Sequence, residues 1–343
     1  MLSSRLIEIF KAVVEEFIAT AEPVGSKTLV EKYNLPYSTA TIRNEMMELE
    51  NLGLIEKTHT SSGRVPSSEG YRFYVENLMN SHIDEQMELV VQSAFADRSL
   101  NIDELIKKSC DILAKMTNLT SIVLGPDAQK QRLEHIKLFV VDDRNAVAVF
   151  ITDTGHTENR MFQFDEDVSV KDIQVCCDIL NDRLKGTYIN EVVEKMTQIK
   201  PLLELSIERH EVLFKAFVAA FIKFANESFY YSGQDKLMYQ PEFADIERLK
   251  ELMGMLENSQ LWRNISLGKG NLLLKTSDTS QLVWMDDMAV VSSKFRINSE
   301  EEGQLMLFGP SRMDYDHIVS LIEYLAENME KMLNRGGSND REK

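Results

Sequence analysis

Apolar residues near the start of the chain recur at helical spacing. Ile7, Phe10, Val14, Phe17 and Ile18 lie three or four apart and mark one face of a first helix. Glu22-Pro23-Val24-Gly25 breaks it, and Ser26 stands where it can cap a short second helix through Leu29 to Tyr33, ended by Asn34-Leu35-Pro36. Ser38 or Thr39 caps a third helix, with Ile42, Met46 and Leu49 as its inward stripe and Gly53 as its stop. Leu54 to His59 reads as a strand, Thr60-Ser61-Ser62-Gly63 as a turn and Arg64-Val65-Pro66 as the returning strand. A fourth helix from Ser67 to Asn80 carries Tyr71, Phe73 and Tyr74.

Residues 81–102 are polar and weakly patterned, which predicts a linker. A helix over Asp103–Met116 then leads to Thr120–Leu124, a short apolar run closed by Gly125-Pro126 and therefore a buried strand. Strands are predicted at Ile136–Val141 and Ala146–Thr152, joined by Asp142-Asp143-Arg144-Asn145, with another at Met161–Phe164. From Val168 to Leu256 the pattern is helical throughout. Strand-like runs return at Asn264–Leu267, Met288–Ile297 and Gln304–Phe308, before an amphipathic helix over Tyr315–Leu333 and a Gly-Gly-Ser-Asn-Asp tail that reads as disordered. Strands, a helical block and strands again describe an α+β multidomain protein whose middle domain is split by an insertion. The divisions read from this pattern are 1–80, a linker at 81–102, a split domain at 103–155 with 257–335, an insertion at 156–256, and a tail at 336–343.

Charge changes the picture only when it is divided. The 343 residues carry 38 basic and 55 acidic side chains, a formal charge of -17 that argues against a nucleic-acid binder. Residues 1–75, however, hold 8 and 10 of these, so the acidity belongs to the 30 and 45 that remain. Three cysteines, Cys110, Cys176 and Cys177, lack the spacing of a disulfide framework and fit a reducing compartment. The opening Met-Leu-Ser-Ser-Arg-Leu-Ile-Glu has no secretory n-region, and Lys215 and Lys223 interrupt the apolar stretch Val212–Ala225. The expectation is a cytoplasmic protein that makes no membrane contact.

Enzyme chemistry finds no foothold. The six histidines form neither a His-Glu-x-x-His nor a Cys-x-x-Cys constellation, so neither metal nor cofactor is expected. Gly268-Lys269-Gly270 lacks the leading glycine and the trailing Ser or Thr of a phosphate loop and reads as a surface turn. Cys176 and Cys177, adjacent on a helix, point about 100° apart and read as packing.

The spacing of the second and third helices is that of a helix-turn-helix, and the hairpin behind them reads as a wing. A recognition helix buries one face and offers its first turns to base edges in the major groove. Ser38, Thr39, Thr41, Arg43 and Asn44 occupy those turns. Arg forks onto guanine, Asn onto adenine, and Thr offers a hydroxyl and a methyl. Lys27 and Thr28 stand where helix amides hold phosphate, and Ser61 and Arg64 set a small residue and a cation in the wing. The same geometry also serves protein-interaction modules, and Thr, Arg and Asn on a helix are also a solvated face.

Longer motifs narrow the choice. Pro23–Leu29, Ser38–Met46, His59–Ser67 and Gly70–Val75, with Gln240–Asp245 and Gly309–Tyr315 far downstream, resemble the HrcA family of bacterial heat-inducible transcription repressors. The matches run in order along nearly the whole chain. Tyr231-Ser232-Gly233-Gln234 and Asn298–Gly303 depart from the family's glycine-rich turns. The resemblance implies a winged helix, a GAF-like α/β domain and a dimerising insertion. It also implies repression of groE- and dnaK-type operons through the CIRCE inverted repeat, with the chaperonin GroEL as the partner that keeps the repressor active. A different class stays open: a winged-helix regulator whose GAF-like domain takes a small-molecule effector.

An inverted repeat needs a two-fold protein. Phe214, Phe217, Phe221 and Phe224 make one helical stripe, with Val218, Ile222, Ala225 and Phe229 beside it. So wide an apolar surface predicts a helix at the dimer interface of a homodimer, the other reading being a helix enclosed in its own domain.

Overall fold

A computed structural model describes residues 2–58, 63–79, 83, 85–96, 102–125, 127, 130–142, 145–163, 168–208, 210–226, 229–266, 272–285, 287–297 and 301–336. The chain forms two compact units, Met1–Leu124 with Tyr230–Lys343, and Gly125–Phe229.

The first unit begins with α1 (Ser4–Thr20), α2 (Ser26–Tyr33) and α3 (Thr39–Asn51), followed by β1 (Ile55–Lys57), β2 (Arg64–Pro66) and α4 (Ser68–Asn77). The hydroxyls of Ser3, Ser38 and Ser67 cap α1, α3 and α4 by accepting amide hydrogens that each first turn leaves unpaired. At α2 the capping position falls on Gly25, and no side chain caps the helix. Gly53, at φ +74°, turns the chain out of α3, a conformation that favours glycine. β1 and β2 pair antiparallel with Glu56 opposite Val65. Gly70 lets α4 lie directly on that turn, because a Cβ there would stand 2.0 Å from the Leu54 carbonyl oxygen.

The stretch expected to be a linker is partly helix. In α5 (Glu85–Ala94) and just beyond it, Met87, Val91 and Phe95 are buried in the same core as α1, α3 and α4. Leu89 and Val90, exposed between buried Met87 and Val91, blur that inner stripe in the sequence.

The same unit holds a six-stranded sheet in the order β7-β3-β11-β10-β9-β8. Its strands are β3 (Thr120–Leu124), β7 (Phe229–Ser232), β8 (Leu272–Lys275), β9 (Ser280–Met285), β10 (Met288–Arg296) and β11 (Glu302–Pro310). α6 (Ile102–Thr117) and α12 (Tyr315–Gly336) cover one face, against Val123, Leu282, Val291, Phe295 and Leu307. The other face meets two 3-10 turns (Gln234–Tyr239, Pro241–Phe243), α10 (Ile246–Leu256) and α11 (Ser259–Ser266), where Phe243 and Trp262 pack on Phe308. Three expectations change here. β7 interrupts the helical block, and β8 and β9 lie where the sequence pattern predicts no strand. Asn264–Ser266, expected in a strand, close α11, where the three-residue spacing of buried Trp262 and Ile265 is helical; Leu267 lies outside the described residues.

The second unit is a three-stranded antiparallel sheet, β4 (Leu133–Val140), β5 (Asn145–Thr152) and β6 (Thr157–Gln163), with α7 (Val170–Leu184), α8 (Ile189–Ser206) and α9 (His210–Asn226). The Asn181 side chain fastens α7 to β4, accepting from the Ile136 amide at 2.7 Å and donating to its carbonyl at 2.8 Å. The insertion therefore runs from Gly125 to Phe229 and not over 156–256. Alternation identifies a strand but not which sheet it joins; β4 and β5 pair within the three-stranded sheet, while 230–256 returns to the larger one. The tail from 337 lies outside the described residues.

Candidate nucleic-acid interface

Leu29 of α2 and Ile42, Met46 and Leu49 of α3 are buried against α1, so the inward side of α3 is fixed by packing. Ion pairs fix it further. Glu45 on α3 is buried beneath Arg5 of α1. Lys32 of α2 donates to Glu16 of α1 at 2.5 Å. Arg64 of β2 clasps Glu50 of α3 through Nε at 2.8 Å and Nη2 at 2.7 Å. Three acids of this segment are thus met by bases within the protein. That pairing is invisible in a charge count and leaves the outward side of α3 free of those carboxylates.

The outward side carries the expected residues. Thr39, Arg43 and Asn44 are exposed. Among the described residues, Arg43 and Asn44 make no side-chain hydrogen bond or ion pair. Ser38 is the cap itself: its Oγ accepts from the Thr41 amide at 3.1 Å and lies 2.9 Å from Thr41 Oγ1. Lys27 and Thr28 stand in the first turn of α2, Lys27 reaching out 3.6 Å from Glu31. The absence of a side-chain cap on Gly25 leaves that turn's amides without a side-chain acceptor. Ser61 lies outside the described residues. Arg64 differs in kind, because its side chain is only 11% exposed and its guanidinium serves Glu50. Sequence reasoning missed Arg5, Glu45 and Glu50, whose roles depend on partners 40 and 14 residues away.

The phenylalanines of α9 lie elsewhere. Phe217, Phe221 and Phe224 are fully buried in the second unit around Phe150, at ring separations of 6.4, 4.8 and 6.1 Å. Phe214 is half-buried, with the Lys200 ammonium 5.5 Å from its ring. Three of the four phenylalanines expected to pair two subunits therefore belong to the unit's own core, with Phe214 at its margin, since a three-stranded sheet needs a broad helix face to close it. What the sheet leaves outside is a different apolar row, with Phe139, Val147 and Met161 cross-strand neighbours on the opposite face. Phe139 is 49% and Met161 69% exposed.

The cysteines are not linked to one another. Burial pushes the Cys110 and Cys176 thiols up to about 12 and raises Cys177 as well. Among the described residues no group of three or more His, Cys, Asp or Glu is arranged to hold a metal, and no helix is long and apolar enough to cross a membrane.

Known proteins match nearly the whole chain. The family described as HrcA protein C terminal domain matches residues 103–319. The heat-inducible transcription repressor HrcA of Bacillus pumilus is 36% identical over 337 residues, covering 97% of this chain and 98% of the relative. The chain belongs to the HrcA family. The HrcA of Listeria welshimeri is similar at 35% identity over 341 residues, 98% of each chain. A crystal structure of a hypothetical protein shares the fold, with a TM-score of 0.66 at 21% identity over 98% of this chain and 99% of that one. The motifs at 23–29 and 38–46 lie outside the segment matched by the HrcA C-terminal family, within the span aligned to the full-length relatives.

Proposed function

We propose that this chain is a heat-inducible repressor that binds the CIRCE inverted repeat of groE- and dnaK-type operons as a homodimer. In this reading α1 to α4 with the β1–β2 ribbon form a winged helix whose recognition helix is α3. The six-stranded sheet with its helices is the GAF-like domain, and Gly125–Phe229 is the dimerising insertion. One observation carries the reading. α3 is held from behind by three buried side chains and the Arg5–Glu45 pair, while Arg43 and Asn44 stand outward with no internal partner among the described residues.

Thr39, Arg43 and Asn44 read bases, with Thr41 and Ser38 shaping the first turn, and the first turn of α2 with Lys27 and Thr28 holds a phosphate. Ser61 touches the backbone from the wing, and Arg64 orients the wing through Glu50. Pairing uses the outer row of Phe139, Val147 and Met161, because Phe217, Phe221 and Phe224 of α9 are consumed within their own unit. The protein acts in the cytoplasm, and GroEL is the partner that maintains it, a role taken from the family resemblance alone.

The test is a titration of CIRCE duplex against scrambled duplex over a range of salt, with and without GroEL. Arg43→Ala is expected to cost about 1–3 kcal/mol on the operator and much less on scrambled DNA. Equal losses on both would reduce Arg43 to a phosphate contact, and equal affinity of the parent for both would end the reading.

A further inference from the structure

Two motifs of the sequence, Gln240–Asp245 and Gly309–Tyr315, lie far along the chain from α2 and α3, and one side chain brings them together. Arg312, between β11 and α12, donates through Nε to Glu242 Oε1 at 2.5 Å. Its Nη2 donates to Glu242 Oε2 at 3.3 Å and to Gln240 Oε1 at 3.0 Å. Its Nη1 donates to the Ile18 carbonyl at 3.2 Å. Ile18 belongs to the last turn of α1, where carbonyls have no intrahelical partner and a cation is favoured. The Arg312 side chain is 14% exposed. A planar fork with five donors is suited to four acceptor oxygens on three residues from two segments, and an ammonium is not.

What the clamp joins gives it meaning. α1 carries Arg5 in its first turn, which holds Glu45 of α3, and the two helices share one buried core, so the helix whose last turn meets Arg312 is also the one that backs α3. A second tie lies beside the first. The Tyr74 hydroxyl of α4 donates to Asp316 at 2.8 Å, and Tyr71 packs edge-on against Tyr315 at 5.9 Å. Gln240 and Glu242 follow closely on β7, where the chain re-enters the first unit. Thr120 of β3 donates to the Gly233 carbonyl at 3.0 Å, anchoring the start of that path to the sheet.

We propose that Arg312 is a positioning residue for operator recognition. Through Gln240, Glu242 and the end of α1, it sets the orientation of α3 relative to the six-stranded sheet, and so the separation of the two recognition helices in the dimer. The proposal rests on the dimeric-repressor reading above. A two-fold protein gains affinity on an inverted repeat only when both heads engage together, so loosening their orientation reduces that gain without altering either head's own contacts.

The experiment uses the full-length protein, with the intact repeat, a single half-site and repeats whose half-sites are moved apart or together. Arg312→Ala is expected to weaken binding to the intact repeat by about tenfold or more while leaving half-site binding within about twofold. It should also flatten the dependence on half-site separation. Glu242→Gln should move all three readouts the same way by less, and it replaces Arg312→Ala should that variant fail to fold. A parent protein that does not prefer the repeat over scrambled DNA sinks the underlying reading and the proposal with it. A parent that prefers it, beside folded variants with the parent's affinity and spacing dependence, overturns the proposal alone. So does equal weakening on half-site and intact repeat, which makes Arg312 a structural support of the head.

Discussion

Phe221→Ala separates a core role from an interface role for α9. Phe221 is fully buried, and its ring meets Phe150 edge-on at 4.8 Å and 66°. Truncating a buried phenylalanine costs about 3–5 kcal/mol, including the lost edge-to-face contact worth about 0.5–1.5 kcal/mol. Native domains hold only about 5–15 kcal/mol in reserve, so the loss takes a large share of what keeps the second unit folded. With a urea dependence of about 2 kcal/mol per molar, the middle of the usual range for small domains, the unfolding midpoint of that unit should fall by roughly 1.5–2.5 M. Urea titration followed by near-ultraviolet circular dichroism measures this directly. Sedimentation velocity in buffer, below the transition, should find the variant associating as the parent does. Phe139→Glu provides the opposite arm: an exposed position on the outer sheet row, expected to loosen association while moving the urea midpoint little. A Phe221→Ala protein that unfolds like the parent but sediments as a monomer would refute the core assignment.

Three further outcomes rest on local geometry. Arg64→Ala should lower thermal stability, because Glu50 loses its close partner, and should change the salt dependence of DNA binding by well under the one unit expected of a free phosphate contact; a full unit at unchanged melting temperature would return Arg64 to the DNA surface. Gly70→Ala forces α4 off the Leu54 carbonyl and should destabilise by about 1–3 kcal/mol, as overpacking does, a cost read from the melting curve and refuted by an unchanged one. Cys110 and Cys176, held up to about 12 by burial against an ordinary thiol value of about 8.5, should resist alkylation at pH 8 in the native state and react once unfolded. The unfolded thiols ionise first, so stability should decline as pH rises from about 9 towards 12; rapid labelling of the folded protein or a flat alkaline profile would contradict the burial.

The chain's own pattern determined the helices of the head, the limits of β3, the place of β10 and β11, and the residues on the outward turns of α3. These follow from interactions between residues close in sequence, such as the Ser38 cap, the Ile42-Met46-Leu49 stripe and the Gly53 stop, which a linear reading captures. Only the tertiary structure decided which strands share a sheet. β4 and β5 alternate as any half-buried strand does, and their hydrogen-bonding edges do not name their partners. It also decided that the α9 phenylalanines face inward, since an apolar stripe records burial but not against what. The same holds for charge. Glu45, Glu50 and Glu242 look alike in sequence, yet each acquires its role from an arginine that folding brings to it: Arg5, Arg64 and Arg312.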